Sequence, residues 1–139
     1  LLKQTVVWED PLYFVTNQQH PLAQKKIITP GNLSQTPAII PHKSTATGQV
    51  IHEYFMQQNL GIKQAPQVPS SANFILIKTL ITLGLGWGVL PQNMLDSSFK
   101  KLPLKAAKLN RKLGVIYHSK RKLGPAAKAF MSLCQKDQP

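Results

Sequence analysis

Apolar and polar positions divide the chain into extended and helical stretches. Residues 6–16 (Val-Val-Trp-Glu-Asp-Pro-Leu-Tyr-Phe-Val-Thr) are rich in β-branched and aromatic types and predict an extended segment. Pro11 interrupts it, which implies an edge or a crossing point, not a central strand. Asn17 to Pro21 is turn chemistry, and Thr29 to Leu33 a short helical turn or loop. Ala38-Ile39-Ile40, closed by Pro41, predicts a buried strand. Val50, Ile51, Tyr54 and Phe55 fall at i, i+1, i+4 and i+5, one face of a helix over 47–58. Ser44, Thr45 or Thr47 would cap it, and Gly61 would end it. A short strand is expected around Val68. Ser70-Ser71 would then cap a second helix over 72–83, apolar on most sides and so buried between layers. Gly84 to Pro91 reads as a helix stop leading into a buried strand, with Trp87 in the core. Leu102–Leu104 and Leu113–Tyr117 predict further strands, the second running beside residues 12–16. Gly124-Pro125 opens a last helix whose inner face is Ala126, Ala127, Phe130 and Cys134. Strands alternating with helices predict a parallel α/β fold.

Composition narrows the class. The chain has 139 residues, 42% apolar and 16% charged, which excludes a disordered chain. No apolar run reaches the roughly 18 residues of a membrane span. A single cysteine, Cys134, makes no internal disulfide and no multi-thiolate zinc site. On the apolar face of a helix it reads as a buried structural thiol, not a nucleophile. The opening Leu1-Leu2-Lys3 shows no initiator methionine and no signal pattern, the expectation being a cytoplasmic piece of a longer protein.

Charge is the extreme property. The net charge is +12. Residues 1–96 carry six lysines against four acids, whereas residues 97–139 carry eleven basic residues against Asp137. Such a balance suits nucleic acid or acidic ligands, or a solubilising lysine face. Only two of the basic residues are arginine and no aromatics interleave them. Base readout and phosphate clamping lean on both, so direct nucleic-acid binding by this piece is disfavoured, and alone it should show only a weak, salt-sensitive attraction to DNA.

The strongest ligand signal is the pair of Ser/Thr-rich helix starts. A helix N-terminus presents unpaired N–H groups and about half a positive charge. Ser44, Thr45 and Thr47, with Ser70 and Ser71 at the second start, would suit a carboxylate, sulfate or phosphate. The same residue types are also ordinary N-caps. Gly84-x-Gly86-x-Gly88 follows a helix instead of opening one, so it is no dinucleotide fingerprint. His20, His42, His52 and His118 are scattered without ligand spacing, so no metal site is expected. Five carboxylates in all give no catalytic pair, so the chain reads as a binding protein and not an enzyme, with no cofactor.

Three stretches together resemble the LysR-type transcriptional regulators. Pro11-Leu12-Tyr13-Phe14-Val15 followed by His20-Pro21-Leu22-Ala23 looks like that family's strand and His-Pro-Leu-Ala segment. Gly84-Leu85-Gly86-Trp87-Gly88-Val89-Leu90-Pro91 is similar to its Gly-Leu-Gly run ending in Leu-Pro. Tyr117 to Phe130 resembles its C-terminal strand, basic turn and helix. Ser44 to Gly48 falls where the family has a Ser/Thr cluster.

The resemblance implies an effector-binding domain of the type II periplasmic-binding-protein fold, with one Rossmann-like lobe complete and the other only partial. Residues 1–12 would be a crossing segment from lobe one, 13–115 the second α/β lobe, and 116–139 the return strand and C-terminal helix of lobe one. A small, anionic metabolite would bind in the interlobe cleft. DNA would be read by an N-terminal helix-turn-helix absent from this chain. The full-length protein would be a homodimer or homotetramer, with the exposed Met56 side of helix 47–58 pairing with a partner subunit. The alternative is part of a transport-type solute-binding protein, which shares the fold.

Overall fold

The structure, a computed structural model, describes residues 1–66, 73–104 and 108–136. They form β1 (Leu2–Asn17), α1 (Pro30–Gln35), β2 (Ala38–Ile39), α2 (Ala46–Gln57), α3 (Phe74–Thr82), β3 (Trp87–Pro91), β4 (Phe99–Lys101), β5 (Leu109–His118) and α4 (Pro125–Lys136). The chain divides into two compact units, residues 1–10 with 110–139, and residues 11–109.

In the larger unit the strand order is β2-β3-β1-β4. β2 and β3 are parallel, while β1 runs antiparallel to both β3 and β4. The sheet is therefore mixed, not parallel as the alternation of elements predicts. Residues 12–17 are central in it: Leu12 faces Pro91, and Val15 pairs with Gly88 on one side and Lys101 on the other. β1 runs unbroken through Pro11, which stands where the division between the two units falls.

Successive side chains of these strands go to opposite faces. Leu12 and Phe14 of β1, Trp87 and Val89 of β3, and Ala38 of β2 meet Ile51 and Phe55 of α2 in one core. Val15, Leu90 and Ile39 meet Ile77 and Ile81 of α3 in the other. One helix thus covers each face, and the central strands are buried at nearly every position. The first core is aromatic: the Trp87 and Phe55 rings stack at 5.5 Å, with Phe14 at 5.8 Å from Trp87. Trp87 Nε1 donates to the carbonyls of Leu33 (2.9 Å) and Thr36 (3.0 Å), satisfying the end of α1.

The glycine run does structural work at the α3–β3 junction. Gly84 ends α3 with φ 77. A side chain on Gly86 would lie 2.1 Å from the Pro37 carbonyl oxygen. The run lets the helix end and β3 press against neighbouring backbone.

Several elements depart from expectation. α2 ends at Gln57 with Gln58 as its C-cap, and Asn59 is in the left-handed region (φ 54) in place of Gly61. α3 is capped by Asn73, whose Oδ1 accepts from the Ile75 and Leu76 N–H groups. Only Ile77 and Ile81 of α3 are buried; Ile75 is 71% and Leu83 68% exposed, because one sheet face supplies a single packing surface. The strand expected at Leu102–Leu104 is instead β4, three residues earlier, with Leu102 N–H donating to the Phe14 carbonyl beyond its end. The strand expected around Val68 lies outside the described residues. Asp96, bonded to Lys78 Nζ (2.8 Å) and to Ser98, ties α3 to the loop before β4, and those bonds hold its carboxyl at a pKa of about 2.

A 3-10 turn over Pro21–Gln24 begins at His20, whose Nδ1 accepts from the Leu22 N–H at 3.1 Å. Burial lowers the His20 pKa from the 6.5 of a free imidazole. The neutral ring is favoured in the folded state, and protonation would also remove the accepting lone pair. The folded state binds fewer protons here than the unfolded one, so stability from this residue is full above pH 6.5 and falls as pH drops below it. Urea titrations between pH 7.5 and 5 should show this fall. His20→Asn, which keeps a capping acceptor that does not titrate, should flatten it. An unchanged pH slope in that variant counts against the assignment.

In the smaller unit the first part of β1 pairs with β5. Ser119 N–H donates to the Leu1 carbonyl (2.9 Å) at one end, and Arg111 Nε reaches Asp10 (2.6 Å) at the other, so the two run antiparallel. β5 thus lies beside residues 1–10, not 12–16, whose two edges are taken by β3 and β4. α4 has no buried residue: Phe130 is 60% and Leu133 58% exposed, and Cys134 is half-buried. The inner face expected for α4, and the buried thiol with it, are not formed among the described residues. Two strands and one helix enclose too little volume to cover an apolar helix stripe.

Candidate functional site

The start of α2 is built by residues 42–48, directly after Pro41. Thr45 is the N-cap, in extended conformation; its hydroxyl accepts from the Gly48 N–H at 3.0 Å and donates to the His42 carbonyl at 2.8 Å. The same carbonyl accepts from the Thr45 N–H at 2.9 Å. His42 Nδ1 lies 2.8 Å from Ser44 Oγ and accepts from the Ser44 N–H at 3.2 Å. The loop is closed on itself before the helix begins. His52, one turn into α2, contacts the Gly48 carbonyl through Nδ1 (2.8 Å).

Gly48 makes this closure possible. A Cβ there would lie 2.1 Å from the His42 carbonyl oxygen and 2.9 Å from that of Pro41. Both obstacles are backbone, so the helix can sit this close to its own entry loop only without a side chain at 48.

The candidate residues have distinct placements. Ser44 is exposed beside His42. Thr45 commits its hydroxyl to the loop and the helix. Thr47 is buried to 6% exposure on the inner side of the first turn. Among the described residues its hydroxyl makes no hydrogen bond, and the N–H groups of Ala46 and Thr47 lie in the turn that has no intrahelical acceptor. Ser70 and Ser71 lie outside the described residues. The arrangement can offer an anion two main-chain donors, the Thr47 hydroxyl and the positive end of a twelve-residue helix, while the Ser44 hydroxyl is held by His42 Nδ1 and would act through the shape of the loop.

Sequence reasoning overlooked two residues. His42 shows no metal-ligand spacing, yet it organises the loop through carbonyl and ring alike. Its signal was position: a side-chain acceptor two residues before Ser44 N–H mimics a turn. Gly48 carries no local signal, since its constraint comes from backbone six and seven residues away. Among the described residues no group of three metal-ligating side chains occurs, and no helix is long and apolar enough to cross a membrane. A depression of about 380 Å³ is lined by Lys26, Ile27, Ile28, Thr29, Pro30 and Pro103; the Thr29 hydroxyl and backbone are already taken by the capping box with Asn32.

Comparison with known proteins supplies the class. The chain is 27% identical over 128 residues to the RuBisCO operon transcriptional regulator of Acidithiobacillus ferrooxidans, covering 88% of this chain and 40% of that protein. It spans less than half the length of such relatives. Its fold matches the Synechocystis PCC6803 CcmR regulatory domain in complex with 2-PG at a TM-score of 0.82 and 20% identity, covering 99% of this chain and 69% of that one. The effector-binding domain of QuiR in complex with shikimate matches at 0.77 and 18% identity, covering 97% and 64%. These likenesses establish the type II periplasmic-binding-like fold with its mixed sheet. The matching family is one of transcriptional regulators, so the transport reading is not favoured. With the model of the LysR substrate-binding domain matching residues 1–139, the chain belongs to that family.

Proposed function

We propose that this chain is the effector-sensing part of a LysR-type transcriptional regulator and that the start of α2 takes the charged group of a small anionic metabolite. The observation that carries the reading is the closed Pro41–Gly48 entry, which leaves the Ala46 and Thr47 N–H groups and the Thr47 hydroxyl uncommitted while Thr45 and Gly48 hold them in place. The small molecules held by the CcmR and QuiR domains support a ligand of this size class. Ser70 and Ser71, and groups from the rest of the effector domain, would complete the shell. A ligand that favours one arrangement of the domain shifts its population, and that shift is the regulatory output to a DNA-reading segment elsewhere in the protein. Such a regulator works in the cytoplasm, on DNA, as a homodimer or homotetramer. α2, with Met56 72% exposed, is the helix we assign to subunit pairing; light scattering showing a monomeric effector domain at high micromolar concentration would remove that assignment.

Calorimetry of the complete effector domain against a panel of small carboxylates and phosphates tests the site. A charge-assisted hydrogen bond contributes roughly 1.5–3 kcal/mol. Thr47→Ala should therefore weaken the ligand so identified by about ten- to a hundredfold, with Ser44→Ala in the same direction. Unchanged affinity in both variants would remove the α2 start from the site.

A further inference from the structure

The basic excess of residues 97–139 is not one surface. Lys100 and Lys101 lie on β4 in the larger unit, whereas Lys120, Arg121, Lys122 and Lys128 belong to the smaller one. Within the smaller unit the acids lie at one end of the β1–β5 pair, beside Arg111 and Lys112. There Glu9 accepts from Asn110 (3.0 Å) and Asp10 pairs with Arg111. At the other, Ser119 is bonded to Leu1, which brings Lys3 alongside the turn carrying Lys120, Arg121 and Lys122. α4 starts directly after that turn, and Lys128 is one helical turn into it. All five cations are exposed. The described acids of this unit stand six or seven strand residues away, about 20 Å. That is roughly two Debye lengths at physiological salt, so they do not neutralise the cationic end. The turn is held in shape, with His118 Nδ1 accepting from the Lys120 N–H and the His118 carbonyl from the Arg121 N–H (3.1 Å).

We propose that this end of the smaller unit, Lys3 with Lys120, Arg121, Lys122 and Lys128, is a sequence-independent contact for the phosphate backbone of duplex DNA. The proposal rests on the reading of the protein as a DNA-binding regulator. It adds a contact made by the effector domain itself, outside the segment that reads bases. The cluster is mainly lysine with no stacking aromatics among its members, which suits phosphates and gives no base readout. Each phosphate neutralised adds about −0.9 to the slope of log K against log salt, so five cations give a slope of about −4 to −5.

Fluorescence anisotropy of the 139-residue chain on a random-sequence 30-base-pair duplex, between 50 and 300 mM salt, tests this. The triple variant Lys120→Gln, Arg121→Gln, Lys122→Gln alters only side chains that the turn does not use, and circular dichroism checks its fold. It should lose about 2.7 from the magnitude of the slope. The control Lys25→Gln, Lys26→Gln, Lys100→Gln removes the same charge from the larger unit and should leave the slope near the parent value. Equal losses in the two triples would show a net-charge effect only and overturn the proposal. So would tighter binding to vesicles with 30% phosphatidylserine than to the duplex at equal salt. The assay contains no effector, so failure of the effector reading leaves it unaffected, and its own failure leaves the α2 start intact.

Discussion

Gly48→Ala is expected to destabilise the complete effector domain by about 3 kcal/mol and to abolish effector binding. Helix propensity alone says the opposite, since alanine for glycine inside a helix gains about 1 kcal/mol. The tertiary term wins because the new methyl would meet the His42 carbonyl oxygen at 2.1 Å and the Pro41 oxygen at 2.9 Å. Neither can rotate away, so α2 must slide off its entry loop. Overpacking of this kind costs about 1–3 kcal/mol and sometimes more. The slide also moves the Thr45 hydroxyl off the Gly48 N–H, a cap contributing about 0.5–2 kcal/mol. Urea unfolding followed by circular dichroism reads the first effect and calorimetry the second. A Gly48→Ala domain as stable as the parent would show that the loop accommodates the methyl, and the argument for a rigid α2 entry would fail.

Trp87→Ala should cost about 3–5 kcal/mol, the usual loss for a buried aromatic. Trp87 is fully buried, stacks on Phe55, and links β3 to α1 through its indole N–H. Domains of this size have about 5–15 kcal/mol to lose. The variant should therefore unfold at a much lower urea concentration or fail to accumulate. Trp87→Phe separates the contributions. It keeps most of the ring volume but removes the indole donor from the Thr36 carbonyl and leaves the Leu33 carbonyl with the Thr36 N–H, costing about 1–3 kcal/mol. If Trp87→Phe is neutral, the indole bonds contribute little and α1 is held by packing alone.

Both substitutions act on the same core from opposite sides. Phe55 joins them: it lies on α2 two turns beyond Gly48 and stacks on Trp87. An anion at the α2 start, as proposed, would engage a helix whose inner face is fixed in the aromatic cluster. The exposed stripe of α4 is different in kind. Phe130 and Leu133 are exposed among the described residues.

By itself the sequence determined the features whose causes are local. The spacing of Val50, Ile51, Tyr54 and Phe55 marks α2, and the hydroxyls before it mark its start. The glycine run with Trp87 and Leu-Pro marks β3, and with His20-Pro21-Leu22-Ala23 it carried the family resemblance. Period and capping depend on neighbours within a turn or two, so they can be read residue by residue. The tertiary structure alone decided which edges pair and what lies against each face. Pro11 reads as a break, yet β1 passes through it, changing its pairing from β5 to β3 and β4. α3 reads as buried all round, but only one sheet face was there to meet it. The inner face expected for α4 is exposed among the described residues. Gly48, unremarkable in sequence, is fixed by two carbonyls of the preceding loop. The eleven basic residues that appear as one tail are distributed between two units, and the β1–β5 pairing puts Lys3 with Lys120–Lys122 across more than a hundred residues of chain. Such pairings are chosen by the free energy of the whole assembled core, a sum over distant partners that no local window contains.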